Sequence, residues 1–285
     1  MKFAQRDIDR RDWSSLGEKG FRAEYLEPLR PVVLTGAIDH WGALGKWTPD
    51  FFRREYATRS VAVDGKDWPL GELIDRIETS TPQNPAPYLR NELLTNWPAG
   101  LQADIAPMPA CSRPNWLETR VFPSRQRMTF IELYIGGSGA KFPVLHYDNL
   151  HTHAFLMQLY GDKEYLALAP DQARYVYPRE KTAPNKSGID DVEHPDLDRF
   201  PLFDEATGTR FKLSPGETLF VPAGWWHTAR ILSTSITVSI NGANAANWKA
   251  FVQDYVAEVA GYSRWKAALI MPYLMTLGAW FELWD

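Results

Sequence analysis

From Ser235 to Asn241 the chain alternates strictly between polar and apolar residues. Ile236, Val238 and Ile240 fall on one face of an extended segment, and Ser235, Thr237, Ser239 and Asn241 on the other. If the apolar face packs outward against helices, the polar face lines a cavity, as a small ligand-binding barrel requires; an edge strand with a solvated face fits the same pattern. Further β-rich runs lie close by. Residues 127–136 (RMTFIELYIG), 154–160 (AFLMQLY) and 164–170 (EYLALAP) read as short strands, the first two closed by glycine. Residues 214–227 (SPGETLFVPAGWWH) open on a Pro-Gly turn and continue as a strand, Leu219 to Pro222, with a short extension toward His227. After Asn247 the spacing changes to Trp248, Phe251/Val252, Tyr255/Val256 and Val259, which predicts an amphipathic helix.

The rest of the pattern adds organisation. The Pro-rich stretch 81–123 reads as irregular connection with short elements, and no linker composition splits the chain. One domain over residues 1–285 is expected: an N-terminal elaboration (1–124), a barrel core (about 125–242) and a C-terminal helical tail (245–285). The uncharged run Ala267 to Phe281 is shorter than the ~20 apolar residues of a membrane span and carries Pro272 and Gly278, so a buried or partner-covered helix is the better reading. With 31 Lys+Arg against 35 Asp+Glu, a net charge of −4, the chain offers no global basic footprint for nucleic acid or anionic membrane. The single cysteine, Cys111, forms no internal disulfide and has no obvious base beside it, which points to a free structural thiol. The N-terminus, MKFAQRDIDRRDW, is too charged for a signal peptide, and a cytoplasmic protein is expected.

Candidate chemistry concentrates in residues 142–155, FPVLHYDNLHTHAF. In an extended segment His146 and Asp148 share a side, presenting an imidazole and a carboxylate together while Tyr147 faces away. His227 is the best-placed third ligand, and two histidines with one carboxylate suit Fe(II) that must also bind a co-substrate and oxygen. His151 and His153 open a zinc-cluster alternative, but four ligands from eight residues need a sharply folded loop, so these two are read as supporting or structural. His40 and His194 read as loop or packing histidines.

At these residues the sequence resembles the JmjC-type, cupin-fold 2-oxoglutarate and Fe(II)-dependent oxygenases, in particular the small hydroxylase branch with the factor-inhibiting-HIF-like and tRNA wybutosine hydroxylase-like proteins. The resemblance runs through residues 29–52 (LRPVVLTGAIDHWGALGKWTPDFF), LHYD, QLYGDKEYLALAPDQARYVYP, 191–203 (DVEHPDLDRFPLF), 213–227 (LSPGETLFVPAGWWH) and SITVSIN. It implies a mainly β fold with flanking helices, a double-stranded β-helix (jelly-roll or cupin) core, with His146, Asp148 and His227 on the iron. It also implies that Lys163 pairs with the distal carboxylate of 2-oxoglutarate, that Tyr88 in PYLRN supports that carboxylate, and that Asn241 lies in the pocket. Two features depart from the family. Pro143 stands where a Ser or Thr usually contacts the co-substrate. The segment from Asp148 to Lys163 is a residue longer than in some relatives, which puts Ala154 or Leu156 where a pocket asparagine is usual.

The activity implied is hydroxylation of a protein or peptide side chain, with 2-oxoglutarate and dioxygen as co-substrates. A small metabolite, a modified tRNA base, or a non-catalytic cupin that binds without turnover are the alternatives; the negative charge weighs against RNA, and Pro143 favours the non-catalytic reading. The tail 265–284, WKAALIMPYLMTLGAWFELW, carries more apolar surface than one helical stripe buries on a monomer. Relatives in this branch dimerise through C-terminal helices, so a homodimer through residues beyond about Asn247, with Pro272 bending the segment, is expected.

Overall fold

Alternating apolar residues build the larger of two facing sheets in the computed structural model, which describes residues 2–4, 8–119, 121, 131–179 and 183–283. Eleven strands make the two sheets: β1 (Lys2–Ala4), β2 (Arg10–Asp12), β3 (Val32–Thr35), β4 (Leu89–Leu93), β5 (Ile131–Gly136), β6 (His153–Tyr160), β7 (Lys163–Leu168), β8 (Thr207–Leu213), β9 (Thr218–Val221), β10 (Trp226–Ile231) and β11 (Ser235–Gly242). The seven-stranded sheet runs β2-β3-β9-β6-β11-β5-β4, and the four-stranded one β1-β8-β7-β10. Residues 127–130 of the first predicted strand lie outside the described residues. Among the described residues this is the mainly β fold with flanking helices, a double-stranded β-helix core, that the resemblance implies.

The β11 alternation decides which way the larger sheet faces. Ile236, Val238 and Ile240 join Leu133, Ile135, Phe155, Met157 and Phe220 in one buried cluster. Helices α1 (Trp13–Phe21), α2 (Pro49–Tyr56) and α3 (Leu70–Glu78) contribute Phe21, Phe52, Leu73 and Ile74 to it, so the apolar face is the covered outer one. Thr237 pairs with Tyr134 and Ser239 with Glu132, so these residues share the inner face. A local capping signal starts α2: Thr48 accepts from Phe51 N–H at 3.1 Å, with Pro49 just inside.

Where the two sheets meet, Val33, Ala154, Leu219 and Val221 of one pack on Tyr165, Ala167, Phe211 and Leu213 of the other. Gly161 closes the turn between β6 and β7 with φ +64°; a Cβ there would sit 1.9 Å from the Thr234 carbonyl oxygen. One sequence expectation changes. His227 does not lie on an extension of the Leu219–Pro222 strand. Gly224, at φ +79°, turns the chain after Pro222, and His227 is the second residue of β10 in the opposite sheet, paired with Ala167 of β7.

C-terminal to the sheets, α4 (Trp248–Tyr262) and α5 (Arg264–Phe281) pair. Trp248 Nε1 donates to the Leu274 carbonyl at 2.9 Å, and α5 continues through Pro272. Among the described residues no helix is long and apolar enough to cross a membrane.

Candidate metal centre

His146 sits in a short extended segment rather than a full strand: its N–H donates to the His227 carbonyl at 3.1 Å, and the His227 N–H returns the bond at 2.6 Å. This two-residue bridge ties the HYD segment to the start of β10, and it brings the imidazole centroids to 4.5 Å. Asp148 completes the group. Ligand atoms of His146, Asp148 and His227 all lie within 4.8 Å of one another, and among the described residues no other cluster of three or more such groups meets that test.

The proton positions follow from the backbone. His146 Nδ1 lies 3.1 Å from the Val144 carbonyl and His227 Nδ1 lies 3.0 Å from the Trp225 carbonyl. A carbonyl only accepts, so each Nδ1 carries the proton and each Nε2 keeps its lone pair for a metal. Burial, and then the neighbouring His227, hold the His146 pKa well below the usual imidazole range. Burial raises the Asp148 carboxyl, with His227 and a hydrogen bond from Asn241 pulling the other way. Two imidazoles and one buried carboxylate are a donor set that fits a divalent first-row metal such as Fe(II).

A buried lysine lies on the same face of the smaller sheet as His227. Lys163 is 2 % exposed, and its ammonium donates to the Tyr88 hydroxyl at 2.9 Å. Its Nζ stands 5.3 Å from the Tyr88 ring centroid and 5.5 Å from that of Tyr134. Burial lowers the Lys163 pKa to about 7 and pushes the Tyr88 hydroxyl up, so the phenol stays protonated. Its oxygen accepts from Lys163, and its own proton remains available to a ligand.

Asn241 is on the polar face of β11, as its alternation requires: it donates to Thr152 Oγ1 at 3.0 Å, and its amide lies near enough to Asp148 to lower that carboxyl. Ala154 pairs directly with it across the sheet, and Leu156 with Ser239. Pro143 has no N–H to offer. His151 and His153 stand apart from the three-residue group. His151 bonds Asp254 of α4 at 2.5 Å, whereas His153 is fully buried and accepts the Ala223 N–H at 3.0 Å, its pKa lowered to about 3 chiefly by burial. His40 bonds the Pro107 carbonyl at 2.9 Å, His194 lies beside Asp191 on the surface, and Cys111 is a buried free thiol whose pKa burial raises to about 12.

Sequence reasoning missed Glu132 and Asn91. Tyr134 donates to Glu132 Oε2 at 2.7 Å, and Asn91 Nδ2 reaches the same oxygen at 3.1 Å and the Tyr134 hydroxyl at 2.8 Å. Only the alternation of β5, with Glu132 and Tyr134 two residues apart, hinted at this.

Comparison with known proteins agrees with this geometry. The profile of the cupin-like domain matches residues 18–244. The chain belongs to the cupin-like, JmjC-type oxygenase family. Lysine-specific demethylase 8 of Xenopus tropicalis is 32% identical over 229 residues, 77% of this chain and 49% of the relative. Lysine-specific demethylase JMJ30 of Arabidopsis thaliana is 30% identical over 248 residues (82% and 54%), and tRNA wybutosine-synthesizing protein 5 of Mus musculus 28% over 242 residues (76% and 72%). The chain spans about half the length of the demethylase relatives it matches. JmjC-type oxygenases depend on Fe(II) and 2-oxoglutarate, and the His-Asp-His group of this cupin-like chain could bind the metal.

Proposed function

We propose that this chain is a 2-oxoglutarate- and Fe(II)-dependent oxygenase that hydroxylates a protein or peptide side chain, with His146, Asp148 and His227 as the metal ligands. The observation that carries the reading is Lys163: a buried ammonium, bonded among the described residues to a phenol and to no carboxylate, on the same face of the smaller sheet as His227 of the His-Asp-His group. A buried cation without an anion is costly, and a dicarboxylate supplies that anion. Bound iron with 2-oxoglutarate and dioxygen supplies the oxidising chemistry, giving succinate, carbon dioxide and a hydroxylated product.

The chain's own residues bind, orient and exclude water. Lys163 and the Tyr88 hydroxyl form a charge-assisted cradle for the distal carboxylate, a contact of ~1.5–3 kcal/mol. The Val144 and Trp225 carbonyls fix the two imidazoles, and Asn241 steadies Asp148. Asn241 is thus proposed to serve the co-substrate pocket through Asp148. Ala154, Leu156, Tyr165 and Phe211 make the apolar wall that keeps the reacting C–H bond away from bulk water. Succinate formed in step with oxygen consumed tests the reading, since a binding-only cupin gives neither.

The family's named relatives include lysine demethylases and a tRNA wybutosine-synthesizing protein, so an N-methyl group on a protein and a tRNA base are the other substrate classes to assay. The exposed apolar face of α5 supports a homodimer: Trp265 is 67% exposed, Leu269 64% and Trp280 51%, while Ala267, Leu274 and Leu277 bury against α4.

A further inference from the structure

The inner face of the larger sheet carries one more charged group than metal and co-substrate need. Glu132 of β5 stands opposite Ser239 of β11, on the face that also bears Tyr134 and Thr237. It is not a member of the His-Asp-His group, and Lys163 turns to Tyr88 instead. No ion pair forms between Glu132 and any described Lys, Arg or His, and Arg90, on the neighbouring strand β4, is paired with Asp64 at 2.8 Å.

Its two partners are neutral donors that both fall on Oε2: the Tyr134 hydroxyl and the Asn91 amide. Among the described residues Oε1 has no donor. Asn91 reaches this position by a left-handed backbone, φ +56°, where the register between β4 and β5 slips between Leu89 and Glu92. A bulged strand that turns an amide toward one carboxylate oxygen orients that carboxylate. Burial is the main cause raising the Glu132 carboxyl, the two donors lower it, and the Asp148 charge raises it further, which sets Glu132 in the same electrostatic environment as the metal centre.

We infer that Glu132, oriented by Tyr134 and Asn91, receives a positively charged group of the primary substrate, a protonated amine or guanidinium on a peptide side chain. A neutral substrate leaves this partly buried carboxylate unpaired beside Asp148, whereas a cation satisfies Oε1 and offsets the repulsion. Glu132 then selects by charge and positions the side chain beside the metal.

This inference rests on the oxygenase reading, and the test separates the two. The full chain is loaded with Mn(II) and 2-oxoglutarate under nitrogen, and capped amino acids are titrated calorimetrically in matched pairs: N-acetyl-arginine methylamide against its citrulline analogue, and N-acetyl-lysine methylamide against its norleucine analogue. At least one cationic probe should bind about tenfold or more tightly than its neutral partner, and Glu132→Gln should reduce that ratio to below about threefold while Mn(II) and 2-oxoglutarate still bind. Equal binding within both pairs, or a preference that survives Glu132→Gln, overturns the assignment of Glu132. Failure of the wild-type chain to bind Mn(II) and 2-oxoglutarate overturns the oxygenase reading and this inference with it. If Glu132→Gln does not fold, a wild-type crystal soaked with the arginine probe decides: a guanidinium within about 3.2 Å of the Glu132 carboxylate supports the assignment, and a guanidinium elsewhere overturns it.

Discussion

Lys163 and Tyr88, 75 residues apart in sequence, meet at 2.9 Å in the protein interior, and the ammonium has no other hydrogen bond among the described residues. Lys163→Ala should therefore raise the 2-oxoglutarate dissociation constant by more than about tenfold, since ~1.5–3 kcal/mol is lost and ~1.4 kcal/mol is one decade. Metal affinity should stay within about twofold. Calorimetry on the Mn(II)-loaded chain measures both, and an unchanged 2-oxoglutarate affinity contradicts the prediction.

The same lysine sets a pH dependence. Its folded pKa is about 7 against the ordinary 10.5, so between those values the unfolded chain holds a proton that the folded chain has released. Stability of the unliganded protein therefore gains from Lys163 as pH rises through this window and loses as pH falls toward 7, by up to ~1.4 kcal/mol per pH unit. Binding of a dicarboxylate runs the other way, because it draws a proton back onto the ammonium. The 2-oxoglutarate dissociation constant should rise from pH 7 to pH 8.5, and Lys163→Met should flatten both profiles.

His146→Ala, Asp148→Ala and His227→Ala should each abolish stoichiometric Fe(II) binding, read by metal analysis after anaerobic desalting. His151→Ala should keep the metal, because its imidazole is committed to Asp254. His153→Ala should also keep it but lose ~1–3 kcal/mol of stability, since the buried Ala223 N–H loses its acceptor. Loss of metal in His153→Ala with retention in His227→Ala would return the zinc-cluster alternative.

Part of this site is legible in the sequence. The β11 alternation points to a polar-lined interior, and the closeness of His146 to Asp148 is legible because side chains at i and i+2 share a side of an extended segment. What depends on long-range pairing was not legible. The sequence places His227 on a prolongation of the Leu219–Pro222 strand, yet a glycine turn moves it into the opposite sheet, and nothing local says which sheet a strand joins. The Glu132–Asn91 contact spans 41 residues and requires a register slip that no sequence period encodes. In the tail, composition gave the excess of apolar residues but not how they divide: α4 covers Leu274 and Leu277, while Trp265 and Leu269 stay outside.

That division yields a prediction on assembly. Light scattering on the intact chain should give twice its 32.5 kDa mass. The double substitution Trp265→Glu with Leu269→Glu should give a folded monomer, since both residues are exposed and neither supports the α4–α5 contact. A monomeric wild-type chain at micromolar concentration contradicts the homodimer.

Gly161 links the turn chemistry to the site, because it precedes Lys163 and has no room for a side chain against Thr234. Gly161→Ala should cost at least ~1–2 kcal/mol in chemical denaturation and weaken 2-oxoglutarate binding through a displaced Lys163. A variant as stable as the wild type contradicts this reading of the turn.

An anaerobic crystal structure of the full chain grown with Fe(II) and 2-oxoglutarate addresses the metal centre and the buried lysine together. The expected result is iron bonded to His146, Asp148 and His227, with the distal carboxylate of the keto acid hydrogen-bonded to Lys163 and Tyr88. Iron held by other residues, or a keto acid bound away from Lys163, would contradict it.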